Sequence, residues 1–129
     1  MKYAYAVLFL LAANLSWGHT MSPAFEVEWS LTETHKKVYV LTNKYEKPAV
    51  YVVKVLNPDG TPAKDWETKR EEYRLMPDSS TKVHIKFLAK GQRKLLVCSI
   101  LKELGTNHEK ASVITRVCSR LIINGIVSK

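Results

Sequence analysis

Apolar and polar positions alternate along this chain in short runs with a period of two residues, and no stretch sustains a 3.6-residue period. Phe25–Leu31 (FEVEWSL) sets Phe25, Val27, Trp29 and Leu31 against Glu26, Glu28 and Ser30, the pattern of a half-buried strand. Val38–Thr42 (VYVLT) is a second strand, closed by Asn43. Ala49–Leu56 (AVYVVKVL) is the strongest strand in the sequence. Asn57-Pro58-Asp59-Gly60 then makes a β-turn, because proline fixes φ and glycine accepts positive φ. Glu71–Met76 (EEYRLM) is compatible with a short strand. In Lys82–Leu88 (KVHIKFL), Val83, Ile85 and Phe87 alternate with Lys82, His84 and Lys86. The Leu95–Asn124 stretch holds two β-branched runs, LLVCSILKEL and SVITRVCSRLIIN, around a polar loop with Gly105 and Asn107. The lead before Phe25 and the segment Thr61–Arg70, polar apart from Trp66, read as connections.

About seven strands at intervals of roughly 8–15 residues predict an all-β fold, a single sandwich of immunoglobulin type. The Cys-Trp-Cys spacing of true immunoglobulin domains is absent. Cys98 and Cys118 are the only cysteines and lie in consecutive late strands, so a bridge between them ties the final hairpin and does not link two sheets. There are no internal repeats, low-complexity segments or linkers.

The 129 residues suggest one domain behind a leader. Lys2 and the apolar run Ala4–Leu15, with Ser16 and Gly18 at the −3 and −1 positions, read as a signal peptide over residues 1–18, cleaved after Gly18. The alternative is an N-terminal anchor, but the run is short of the roughly 20 residues that span a bilayer. The sandwich domain then occupies residues 19–129 of an exported, periplasmic protein. An oxidising compartment favours pairing of the two cysteines. Twenty Lys and Arg against 12 acidic residues give a formal charge of +8. The cations are scattered, with no basic run and no aromatic-rich RNA-binding signature, so a nucleic-acid partner is not expected.

No catalytic constellation emerges. His19, His35, His84 and His108 have no metal-ligand spacing with another His, Cys or carboxylate, so no metal or cofactor is expected. Glu71 and Glu72 are adjacent and face opposite sides of a regular strand. There is no nucleophile elbow and no Gly-rich phosphate loop. Trp29 and Trp66 read as core or sheet-packing residues. A reactive-thiol redox role for Cys98 or Cys118 ranks well below a structural disulfide. The chain does not read as an enzyme.

Trp66–Pro77 (WETKREEYRLMP) and the following DSSTKVHI resemble the W-x-x-x-P-P-x-F-R-L-x-P-G-x-x-x-x-V-R-I stretch of PapD-like periplasmic pilus chaperones. The two align without a gap through Trp66, Tyr73, Arg74, Leu75, Pro77 and Ile85. VYVLTN (Val38–Asn43) is similar to the family's early strand ending in Asn, and ASVITRVCSRLIIN (Ala111–Asn124) to its edge strand. The resemblance spans about residues 25–124. It implies a protein that binds secreted, β-rich, pilin-like subunits by donating its edge strand in place of the strand they lack, a form of β-augmentation. Val113, Thr115 and Val117 alternate on one face and are the expected inserting residues, although the same residues on an edge strand also suit packing on the protein's own core. In the family a basic residue of this strand and an Arg of the first strand grip the subunit's terminal carboxylate. Arg120 matches the former. The latter has no counterpart, since Phe25–Leu31 has no basic residue, so the anchor is either incomplete or made differently, with Arg116, Lys36 or Lys37.

The family's paired prolines are Arg70 and Glu71 here, the proline after the edge strand is Gly125, and the second β-sandwich of the family is not in this sequence. Two functions therefore compete: a strand-donating chaperone or assembly factor, and a single-domain accessory protein of a surface or secretion apparatus that binds a partner without capping it. An unpaired edge strand also invites a homodimer through that edge.

Overall fold

The structure, a computed structural model, describes residues 18–105 and 115–125. Nine strands are present among them: β1 His19–Ser22, β2 Phe25–Trp29, β3 Thr34–Asn43, β4 Ala49–Leu56, β5 Trp66–Thr68, β6 Glu72–Leu75, β7 Ser80–Leu88, β8 Gln92–Leu104 and β9 Arg116–Asn124. They form two sheets packed face to face, ordered β1-β3-β7-β5 and β2-β9-β8-β4-β6. This is the expected all-β immunoglobulin-like sandwich, with two strands more than the sequence suggested. β1 and β5 have only four and three residues, too short for a period of two to stand out.

The core follows from the alternation. Tyr39 and Leu41 of β3 and Val83, Ile85 and Phe87 of β7 face Tyr51, Val53 and Val55 of β4, Val97 of β8, and Leu121 and Ile123 of β9. Each of these side chains is buried. Asn57–Gly60 closes a turn through the Gly60 N–H to Asn57 C=O hydrogen bond, with Gly60 at φ 89°. Cys98 and Cys118 stand directly opposite each other in β8 and β9 and are bridged, so the disulfide ties the final hairpin as expected.

The N-terminal strand divides between the sheets. β1 pairs antiparallel with β3, from His19 opposite Asn43 to Ser22 opposite Val40. Pro23 follows, after a cis Ser22–Pro23 bond. Lacking an N–H, it cannot continue a ladder. β2 then joins the second sheet, parallel to β9, from Phe25 opposite Arg120 to Trp29 opposite Asn124.

The face assignment of β2 departs from the expectation. Its apolar row points outward, and Trp29 is 76% exposed, not packed in the core. Its inward row is Glu26 and Glu28. Glu28 accepts hydrogen bonds from Lys37 Nζ (2.7 Å) and pairs with His35 Nε2 (2.6 Å), both on β3 of the facing sheet. Burial pushes the Glu28 carboxyl up, but the hydrogen bonds and charges of Lys37 and His35 outweigh it, and the group sits below its ordinary value. An ionic clasp thus closes this edge of the sandwich where apolar packing was expected. Trp66 does conform: it packs against the core, and its indole N–H donates to the Ala63 carbonyl.

Candidate functional site: the half-covered strand β9

β9 is not a free edge strand along its whole length. β8 pairs with it from Arg116 to Asn124, while β2 covers its other side only from Arg120 onward. Among the described residues, no strand flanks Arg116–Ser119 on the side away from β8. The backbone polarity of this open half can be read from its neighbours. The Thr115 carbonyl accepts the Leu101 N–H of β8 (2.9 Å), and the Arg120 N–H donates to the Ala24 carbonyl at the start of β2 (2.9 Å). Backbone groups alternate sides along a strand, so Arg116 and Cys118 direct their N–H and C=O groups into the open position.

The odd-numbered side chains of β9 point inward. Val117 packs against the core, and Ser119 is buried with its hydroxyl donating to the Met21 carbonyl (3.3 Å). Thr115 Oγ1 lies 3.4 Å from the Tyr45 hydroxyl. Thr115 and Val117 therefore share the inward face, as their alternation suggested, at the mouth of the sandwich. Val113 lies outside the described residues.

The even-numbered side chains point outward, giving the row Arg116, Cys118, Arg120, Ile122. Arg116 and Arg120 are exposed, four residues apart, or about 13 Å along the strand. Among the described residues, no ion pair involves either of them. The other two cations considered for an anchor are placed elsewhere. Lys36 projects from the outer face of the opposite sheet, and Lys37 is engaged with Glu28 at 2.7 Å and Glu26 at 3.8 Å. Of Arg116, Lys36 and Lys37, only Arg116 shares a face with Arg120. Sequence reasoning missed that β2 occupies half of the slot beside β9. The signal was present in Pro23, which ends one ladder and forces the next strand elsewhere.

Among the described residues, no group of three or more His, Cys, Asp or Glu is gathered to hold a metal ion, and no helix is long and apolar enough to cross a membrane.

No family model matches the sequence, and no curated protein matches it. Solved structures share the fold. The complex of Salmonella enterica SafA pilin with the SafB chaperone superposes with a TM-score of 0.67 at 14% identity, over 88% of this chain and 57% of that one. The E. coli chaperone DraB gives 0.65 at 13% identity, over 88% and 57%. WR4, a member of the MSP family from C. elegans, gives 0.64 at 10% identity, over 83% of this chain and 98% of that one. The fold is therefore PapD-like, and the chain spans little more than half the length of the chaperone chains it matches.

Proposed function

We propose that this protein is an exported, periplasmic assembly factor that takes a strand of a β-rich partner into the vacant half of the slot beside β9. One observation carries the reading: β2 fills that slot only from Arg120, leaving the outward N–H and C=O groups of Arg116 and Cys118 for an incoming strand. Backbone pairing would supply affinity, and alternate side chains specificity. An incoming strand parallel to β9 lies end to end with β2. Its C-terminal carboxylate then arrives where β2 begins, beside Arg120, whose guanidinium suits bidentate capture of a carboxylate. Thr115 and Val117, inward at the open end, would join the partner's apolar groove. The likeness to chaperone structures agrees with this reading.

A second reading rests on the likeness to WR4, a C. elegans MSP family member, of which this chain covers 98%. On that reading the protein is an accessory component that binds a partner without occupying the slot.

The test is capture of exported proteins by wild type, Arg116→Pro and Arg120→Ala. Proline at 116 removes only an outward-pointing N–H, so the β8–β9 ladder survives. Strand capture predicts that Arg116→Pro abolishes recovery of a β-rich partner and that Arg120→Ala weakens it by about 2–5 kcal/mol, the range for losing one member of a desolvated charge pair. A partner held equally by all three proteins refutes the slot mechanism and leaves the accessory reading.

A further inference from the structure

The outward row of β2 is unexplained by strand capture. Phe25, Val27 and Trp29 are 56%, 48% and 76% exposed, and Leu31 just beyond is 88% exposed. These are four of the eight exposed large hydrophobic side chains among the described residues, gathered in seven consecutive positions. Cross-strand partners place more of the same chemistry on this face: Phe25 lies beside Arg120 and Leu96, and Val27 beside Ile122 and Lys94. Arg120 and Lys94 make no ion pair with any described carboxylate. The face is thus a flat strip of aromatic and aliphatic groups studded with uncompensated cations. From Phe25 to Trp29 it runs about 13 Å, across three strands spaced at about 5 Å.

Its occupant can be narrowed by charge and shape. A second copy packed face to face would bring the cations Arg120 and Lys94 of both copies into one interface, with no described carboxylate paired to either. A strand added to the free side of β2 would meet Glu26 and Glu28, inward-pointing charges of the kind that block edge pairing. The cleft lined by Thr34, Trp66 and Phe87 lies on the other sheet, away from this face. A planar, anionic, apolar-beneath surface meets these conditions. Tryptophan and phenylalanine sit at the headgroup boundary while Lys and Arg meet the phosphates.

We propose that the outer face of β2 and its β9–β8 neighbours docks the protein on an anionic lipid bilayer. The inference goes beyond strand capture; it shares Arg120 with that reading and is tested through Phe25, Trp29 and Lys94, which that reading does not use. The full chain, recovered from an exporting host, is floated with vesicles of phosphatidylcholine alone or with equal parts phosphatidylglycerol, and its tryptophan emission is followed. Co-flotation and a blue shift with the anionic vesicles, reversed by salt, are expected. Phe25→Ser/Trp29→Ser should lose at least about tenfold in partition, since two exposed aromatic anchors are removed. Both residues are exposed, so the fold should survive, as checked by circular dichroism. Lys94→Glu keeps the apolar strip and should lose about fivefold or more with anionic vesicles alone. Failure to bind anionic vesicles overturns the proposal. So does equal binding by the wild type and the double variant, or retention of an acidic protein but not of vesicles.

Discussion

At the scale of single residues, two buried polar side chains hold the first sheet to its surroundings. Asn43 is fully buried; its amide donates to the Lys47, Leu75 and Met76 carbonyls, and its Oδ1 accepts the Tyr51 hydroxyl (2.8 Å) and the Tyr45 N–H (3.0 Å). Asn43→Ala should cost about 2–4 kcal/mol, because it strands a buried hydroxyl and several carbonyls. A lowered urea midpoint at unchanged slope would register this. His19 is buried against the Tyr51 ring, 4.4 Å between centroids, with Nε2 3.0 Å from Ser99 Oγ and Nδ1 without a partner. Burial pulls its pKa below 6.5, outweighing the raising effect of its hydrogen bond to the Ser99 backbone. Between that lowered value and 6.5 the unfolded chain binds the extra proton, so unfolding free energy should fall as pH drops below 6.5. His19→Gln should flatten this part of the stability profile. The Glu28 clasp acts in a separate window: its carboxyl is lowered from 4.5, so its contribution is present above 4.5 and lost below.

At the scale of elements, alternation identified which segments are strands far better than which way they face. In β3, β4 and β7 one alternate row is buried, Tyr39 and Leu41, then Tyr51, Val53 and Val55, then Val83, Ile85 and Phe87, while Val38 and Val40 of β3 face outward. In β2 the apolar row is the outward one. Its period of two is faultless in the sequence, but Lys37 and His35 reach across from β3 and claim the glutamates, turning Phe25, Val27 and Trp29 outward. Nothing local to FEVEW carries that information, since it depends on a partner strand in the other sheet. The disulfide shows the opposite case. Two cysteines in consecutive strands, in a chain whose leader reads as a signal peptide, sufficed to pair Cys98 with Cys118, 20 residues apart. Replacing both by alanine should lower stability by about 2–4 kcal/mol, as measured by denaturant unfolding, with the far-ultraviolet spectrum unchanged.

At the scale of the whole molecule, two features of the sandwich carry the two proposals, and Arg120 belongs to both. One is the backbone edge of β9, which no strand flanks over Arg116–Ser119 on the side away from β8 among the described residues; the other is the outer face of β2. The resemblance of short motifs pointed to the first, and Arg120 and Arg116 do share its outward row. What it lacked was the division of the N-terminal strand at Pro23, which determines where the opening stops. The far end of β9 is sealed. A Cβ on Gly125 would come within 1.9 Å of the Ala89 carbonyl oxygen, so Gly125→Ala should destabilise the closed end, seen as a lowered melting temperature.

The bridge between Cys98 and Cys118 has a metrical consequence. It sits within the open half of β9 and pins that strand to β8, so β9 cannot slide by a residue without breaking a covalent bond. β2 is fixed in turn by its pairing from Arg120 onward. On the proposed strand-capture reading the start of β2 is then a fixed zero, and a captured chain would be measured by how many residues fit before its end meets Arg120. A single residue inserted between Cys118 and Arg120 would shift that mark by about 3.3 Å and turn the guanidinium to the opposite face. The same slip would turn Leu121 and Ile123 out of the core, so packing as well as the disulfide holds this strand in register.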